Sequence, residues 1–467
     1  MTVQIRRAAA VLVVCFIGLS VGLVYWQIVR SEGLDLAASN PRVAEASRHE
    51  ERGAIFDARG QVLAHSVLQP DGRSRRVYAL PSLAQTIGYV STMYGVAGLE
   101  SSEEGYLSGQ HGAGPIAAVW QDLTRQPGRG NDLVLTIDAG LQQIAARALG
   151  DRKGAVIALD PATGAVKAIV SSPAYDPNQL DELGASLVQN ANQPLLNRAT
   201  QGLYPPGSTY KTVTASAALD SGIVKPSDRY KCINGVVIQG FVVACTNAPP
   251  GQTQWDFLHA YTYSINATFA QVAVQFGAVR FADYSHRFGV GDPIPFDIDV
   301  ATSRLLRPGA SLNDVLLASS GFGQGQLSVT PLQMALVAAT IANGGSEPSP
   351  YLVGSIRDPS GNTVLDRHPA PRGQVIRPET AQEMQRFMLN AVNEGFGQEA
   401  GLLGLDAAGK SGTAETGTGE QAHGWFIGFA PAAAPKLAVA VIVENGGAGG
   451  LVAGPIAAQL FKAAAGR

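Results

Sequence analysis

The sequence predicts an α+β protein in which strands from two distant stretches of the chain form one antiparallel sheet. Three observations predict it. Gly154–Leu159 and Ala165–Ser171 are apolar, β-branched runs separated by Asp160-Pro161-Ala162-Thr163-Gly164, which is hairpin-turn chemistry. Trp425–Phe429 and Leu437–Val443 repeat that pattern near the other end, and Pro455–Ala465 follows with helical spacing. The stretch between, roughly 176–400, reads as helix and loop inserted between the strands.

The elements follow in chain order. Residues Ala8–Val29 carry no charge and are long enough, as a helix, to span roughly 30 Å of hydrocarbon. Arg6 and Arg7 precede this run, whereas Arg30 and Glu32 after it cancel. The positive-inside rule then puts residues 1–7 in the cytoplasm and the rest of the chain outside. Tyr25 and Trp26 stand where an outer aromatic belt would lie. A cleaved signal peptide is the competing reading, but an h-region is shorter and ends at small residues, so an uncleaved anchor is expected over 8–29. Residues 30–128 form a small domain whose densest charge cluster is Arg48–Arg59, and Pro127-Gly128 reads as a boundary. From 129 to 467 the pattern is regular. Leu133–Ile137 is a short strand, and Asp138 suits the N-cap of a helix over Leu141–Leu149.

Composition narrows the function. The chain has 467 residues, with Lys+Arg 34 against Asp+Glu 37, which argues against a nucleic-acid binder. Hydrophobic residues make up 46%, which excludes wholesale disorder. None of the 7 His falls in a His-Glu-x-x-His, so no metal site is expected. Of 3 Cys, Cys15 lies in the apolar run, while Cys232 and Cys245 would face an oxidising compartment. They form either a bridge or two free thiols. The basic residues divide into only 8 Lys beside 26 Arg, so a motif built on lysine is informative.

Two lysine motifs stand out, each occurring once. In Ser208-Thr209-Tyr210-Lys211, after a Pro-Pro-Gly break, Ser208 would start a helix over Thr209–Leu219 and Lys211 would share its face. A serine hydroxyl needs a base within hydrogen-bond reach, and a lysine with a lowered pKa can serve. Alone, the motif reads equally as a Ser N-cap beside a solvated lysine. In Lys410-Ser411-Gly412-Thr413 an edge strand would point Lys410 and Gly412 to one side and could bind an extended peptide carboxylate; the plain alternative is a tight turn. A third, weaker motif is Ser264-Ile265-Asn266, which offers a hydroxyl for proton relay and an amide for substrate. Ser311-Leu312-Asn313 and Ser360-Gly361-Asn362 share its pattern, but Ser264 opens an apolar helical stretch.

In that order the three motifs resemble the signatures of the penicillin-recognising serine enzymes. More narrowly, the chain is similar to the class B penicillin-binding proteins, the D,D-transpeptidases of peptidoglycan synthesis. Arg52–Gly60 resembles the opening of that family's N-terminal pedestal. Gly323-Gln324-Gly325, Thr330–Ala335 and His423–Pro431 resemble further family segments. The departures are Asp57-Ala58-Arg59-Gly60 in place of Asp-Arg-Asn-Gly, and a short pedestal.

The resemblance implies a five-stranded antiparallel sheet flanked by helices, with an inserted all-helical subdomain. It implies Ser208 as nucleophile, Lys211 as base, and Ser264 and Lys410 in proton relay. Asn266, Ser411, Gly412 and Thr413 would hold substrate, and the N–H groups of Ser208 and Thr413 would form the oxyanion hole. No cofactor is implied. Stem peptides and β-lactams are the implied ligands, and a membrane glycan polymerase and other cell-wall synthesis proteins the implied partners. Competing activities are a D,D-carboxypeptidase, a class D-like β-lactamase and a non-catalytic β-lactam-binding scaffold or sensor. No Glu lies between Ser208 and Ser346, which disfavours a class A hydrolase.

Overall fold

The computed structural model describes residues 2–25, 51–70, 72–109, 129–417 and 419–466. The end of the expected anchor (26–29), the first part of the small domain (30–50) and Pro127-Gly128 lie outside them.

The strands behave as their sequences suggest. Ala408–Ala414, His423–Ala430, Leu437–Val443, Gly154–Leu159 and Val166–Ser172 form a five-stranded sheet in that spatial order. Every neighbouring pair is antiparallel. Gly154–Leu159 and Leu437–Val443 are buried at every position, because helices cover both faces. That double burial explains why they read as continuous apolar runs rather than alternating ones. Helices Ala139–Leu149 and Gly454–Ala464 pack on one face, where Leu141, Ala145, Ile456, Leu460 and Phe461 meet Val156, Val439, Val441 and Phe426. Asp138 caps the first of these, accepting from the backbone N–H groups of Gly140 and Leu141. Helix Pro331–Ala342, buried along its whole length, covers the other face.

Two expectations are corrected. The insertion is not all-helical. It carries short strands, among them Arg229–Lys231, Val236–Ile238, Phe241–Val243 and Gln254–Asp256, and the hairpin Val353–Arg357 with Thr363–Asp366. Segments of three to five residues show too few periods for alternation to register, and their partners lie far away in sequence. Nor does one sheet account for the molecule. A second, six-stranded sheet runs Thr363–Asp366, Val353–Arg357, Asp132–Leu135, Ile55–Phe56, Val62–Leu68, Ser74–Tyr78. It is mixed: Ile55 and Phe56 pair in parallel with Leu133 and Val134, while the other neighbours are antiparallel. The small domain is thereby stitched to the insertion, and Asp132–Leu135 belongs to this shared sheet.

The anchor also needs correction. A helix covers Thr2–Val24, and residues 26–29 of the expected anchor lie outside the described residues. Its residues from Val11 to Ser20 are exposed. Among the described residues no helix is long and apolar enough to cross a membrane.

The small domain is held by buried charge. Arg52 donates to Glu100 at 3.0 Å and to Glu104 at 2.8 Å, and Arg76 donates to Glu100 at 2.6 Å, all four side chains being buried. Burial alone would push the Glu100 carboxyl up, but Arg76 and Arg52 outweigh it and hold it below its ordinary value.

Candidate active site

The chain enters the site through Pro205-Pro206-Gly207. A 3-10 turn, Gly207–Tyr210, carries Ser208 and runs directly into helix Lys211–Asp220. The helix therefore starts later than the sequence spacing suggests, and the turn presents Ser208 half-buried at its start. Two braces fix this turn. Trp425 Nε1 donates to Pro205 O at 3.0 Å, and Gly207 N–H donates to Gly323 O at 2.9 Å. Gly323 has φ +81°, and a Cβ there would sit 1.9 Å from Gly207 O, so only glycine fits.

Lys211 is fully buried one turn on. Its Nζ lies 3.0 Å from Ser208 Oγ, 2.9 Å from Ser264 Oγ, 2.7 Å from Ser264 O and 2.6 Å from Asn266 Oδ1. Burial, reinforced by the Lys410 charge, drives its pKa well below the ordinary lysine value. The chemistry follows from the donor count. A neutral amine keeps two N–H groups and one lone pair. Ser264 O and Asn266 Oδ1 can only accept, so they engage the two N–H groups. The lone pair is left facing the hydroxyls of Ser208 and Ser264.

Ser264 sits in the break between helices Phe257–Thr262 and Asn266–Phe276. Its φ of +62° is left-handed, a conformation that costs a non-glycine residue about 1–2 kcal/mol. Its N–H donates to Tyr261 O at 3.0 Å, closing the reversal that turns its hydroxyl toward Lys211. Asn266 begins the second helix. The look-alike motifs are elsewhere: Ser311 and Ser360 are both exposed, and Ser360 lies in a turn closed by Asp358.

Strand Ala408–Ala414 forms the opposite wall, with Lys410 facing Ile427 in register. Lys410 is buried, donates to Ser411 O at 3.0 Å, and stands 5.9 Å from the ring centroids of Tyr261 and Phe396. Burial pushes its pKa down to about 7. Gly412 lets the strand approach the nucleophile turn: a Cβ there would meet Thr209 Cγ2 at 2.9 Å and Pro206 O at 3.0 Å. Thr413 is exposed and Ser411 half-buried.

These walls enclose a cavity of about 310 Å³ lined by Ser208, Ser264, Asn266, Ser411, Gly412 and Thr413. Lys211 and Lys410 lie buried behind it. Thr246, Asn247, Phe322, Gln324 and Glu415 also line it. The sequence motifs do not name these five, although Gln324 and Glu415 fall inside or beside segments singled out above. Asn247 carries no local signal. It reaches the site because Cys232 and Cys245 are joined in a disulfide that folds this loop back, and its Nδ2 donates to Ser264 O at 3.4 Å. Among the described residues no cluster of His, Cys, Asp and Glu could hold a metal ion.

Comparison with known proteins matches this arrangement. Residues 154–462 match the penicillin binding protein transpeptidase domain, and residues 52–133 the penicillin binding protein A dimerisation domain. The chain is 34% identical to the peptidoglycan D,D-transpeptidase PbpA of Mycobacterium tuberculosis, covering 99% of each chain. It is 32% identical to the peptidoglycan D,D-transpeptidase MrdA of Acinetobacter baumannii, over 82% of this chain and 61% of that one. The structure of penicillin-binding protein A from M. tuberculosis as a ceftriaxone acyl-enzyme superposes with a TM-score of 0.83 at 34% identity, covering 90% of this chain and 99% of that one. A penicillin G acyl-enzyme of the same protein gives 0.82. The chain belongs to the class B penicillin-binding proteins, the serine D,D-transpeptidases of peptidoglycan synthesis.

Proposed function

We propose that this chain cross-links peptidoglycan stem peptides through an acyl-enzyme on Ser208, and that β-lactams trap the same serine. The observation that carries the assignment is a single buried amine, Lys211 Nζ, within 3.0 Å of two hydroxyls, Ser208 and Ser264, with its pKa driven down. Ser208 Oγ attacks the carbonyl between the last two D-alanines, and Lys211 takes its proton. The C–N bond breaks, and Ser264 relays a proton to the leaving D-alanine, with Lys410 behind it. An amine from a second stem peptide then attacks the ester, and Ser208 regains its proton. The N–H groups of Ser208 and Thr413 hold the oxyanion, each such donor being worth about 3–4 kcal/mol. Asn266 and the hydroxyls of Ser411 and Thr413 hold the peptide beside Gly412.

The organisation proposed with this reading is a short 1–7, an apolar segment 8–29, a pedestal 30–128 and a catalytic domain 129–467 outside the cytoplasm. The disulfide between Cys232 and Cys245 suits an oxidising compartment. A membrane glycan polymerase is the partner this layout would serve.

The test offers purified protein a donor peptide ending in D-alanyl-D-alanine, with and without an acceptor amine. Mass spectrometry should find a cross-linked product that Ser208→Ala abolishes. Hydrolysis alone, unchanged by acceptor, would make the protein a carboxypeptidase and overturn the proposal.

A further inference from the structure

Strand Ala408–Ala414 is the end strand of its sheet, so one row of its N–H and C=O groups has no strand beside it. Lys410, Gly412 and Ala414 on this strand are buried, whereas Ser411 is half-buried and Thr413 is exposed. Glu415 follows directly after the strand and is also exposed. The alternation sets Ser411, Thr413 and Glu415 in one row, with about 6.6 Å between successive members. All three line the catalytic cavity.

Glu415 is the informative group. Among the described residues lining the cavity it alone carries a charge. Its carboxylate has no hydrogen-bond or ion-pair partner among the described residues. Both oxygens are therefore available to accept from a ligand. Lys410 stands five residues earlier, so the wall offers a cation at one end and an anion at the other.

The direction of the donor peptide decides what reaches Glu415. With its carboxylate at Lys410–Ser411 and its scissile carbonyl at the Thr413 N–H, the donor runs antiparallel to the strand. The residue preceding the two D-alanines then lies about 3.3 Å beyond Thr413, beside Glu415. A stem peptide able to act as acceptor carries a side-chain amine. A donor carries the same amine until cross-linking turns it into an amide. As an ammonium that group complements Glu415, and as an amide it brings no charge.

We propose that Glu415 is a specificity residue for the donor strand. Its carboxylate pairs with a side-chain ammonium on the residue preceding D-alanyl-D-alanine, so the enzyme favours donors whose own amine is not yet cross-linked. The inference rests on the transpeptidase reading and deepens it. An ion pair at an open rim is partly screened, so the preference should be about threefold to fivefold and shrink in added salt.

The test uses the full chain and two donors, Nα-acetyl-L-lysyl-D-alanyl-D-alanine and its Nε-acetylated form. The readout is the ratio of their kcat/KM values for D-alanine release, a quantity set before the acceptor enters. Wild type should favour the free amine, Glu415→Gln should bring the ratio near one, and Glu415→Lys should favour the acetylated donor. Glu415 is exposed, so both variants should fold, which their melting temperatures check. A wild-type ratio near one, or a ratio that Glu415→Gln leaves unchanged, would overturn the proposal. So would an equal loss with both donors, which would give Glu415 a general role in the cleft. If neither donor releases D-alanine but penicillin G still acylates Ser208, the same ratio is read from the two peptides as competitors of that acylation. Absence of acylation by penicillin G would instead defeat the transpeptidase reading itself, and this site with it.

Discussion

Replacing Lys211 by methionine removes the base while keeping the length of the side chain. The structure places the proton acceptor 3.0 Å from Ser208 Oγ, and a positioned general base contributes about 10²–10⁴ in rate. That is about 3–5 kcal/mol of barrier at 1.36 kcal/mol per tenfold. The loss should not come from unfolding. Ser208 and Asn266 line the cavity and can be rehydrated, and Ser264 O keeps its donor from Asn247. The variant should therefore melt within a few degrees of wild type, a change on the order of 1 kcal/mol. The assay is the second-order rate of acylation by a fluorescent penicillin, measured across pH. Wild-type acylation should rise with pH through the depressed Lys211 pKa, because only the neutral amine accepts a proton. The variant should lose both the rate and this limb. A folded Lys211→Met acylated within about threefold of wild type, well short of the expected loss, would refute the assignment of the base.

Other expectations concern the surroundings. Removing the neighbouring cation with Lys410→Met should let the Lys211 pKa climb toward its ordinary value, moving the acid limb of the acylation profile to higher pH; an unmoved limb would contradict the coupling. Glu100→Gln leaves two buried guanidiniums against Glu104 alone and should cost about 3–5 kcal/mol in denaturant unfolding. The Glu100 carboxyl is held below its unfolded value, so its contribution is complete above about pH 4.3 and disappears as pH falls through the lower folded value; the variant should lack that acid-sensitive component. Converting both Cys232 and Cys245 to serine opens a loop of sequence separation 13 and should cost about 3 kcal/mol, read as a lower unfolding midpoint without reductant.

Much of the catalytic domain was legible because its strands are buried on both faces and so appear as unbroken apolar runs. Leu437–Val443 is the clearest case. The reactive groups were legible because lysine is scarce and each lysine motif occurs once: Ser208, Ser264 and Asn266 all lie within 3.0 Å of Lys211 Nζ, and the Lys410 charge helps lower the Lys211 pKa. What stayed hidden was non-local. The pairing of Ile55 with Leu133, and of Leu133 with Ile356, joins three stretches that share no local pattern. Asn247 reaches Ser264 only through a disulfide-closed loop. The left-handed backbone at Ser264 had no glycine to announce it.

The most direct test of the account is the site of covalent attachment. The protein is incubated with penicillin G, digested, and the modified peptide is sequenced by mass spectrometry. The account predicts one adduct, on Ser208, absent from Ser208→Ala. An adduct on another residue, or labelling that survives Ser208→Ala, would contradict it.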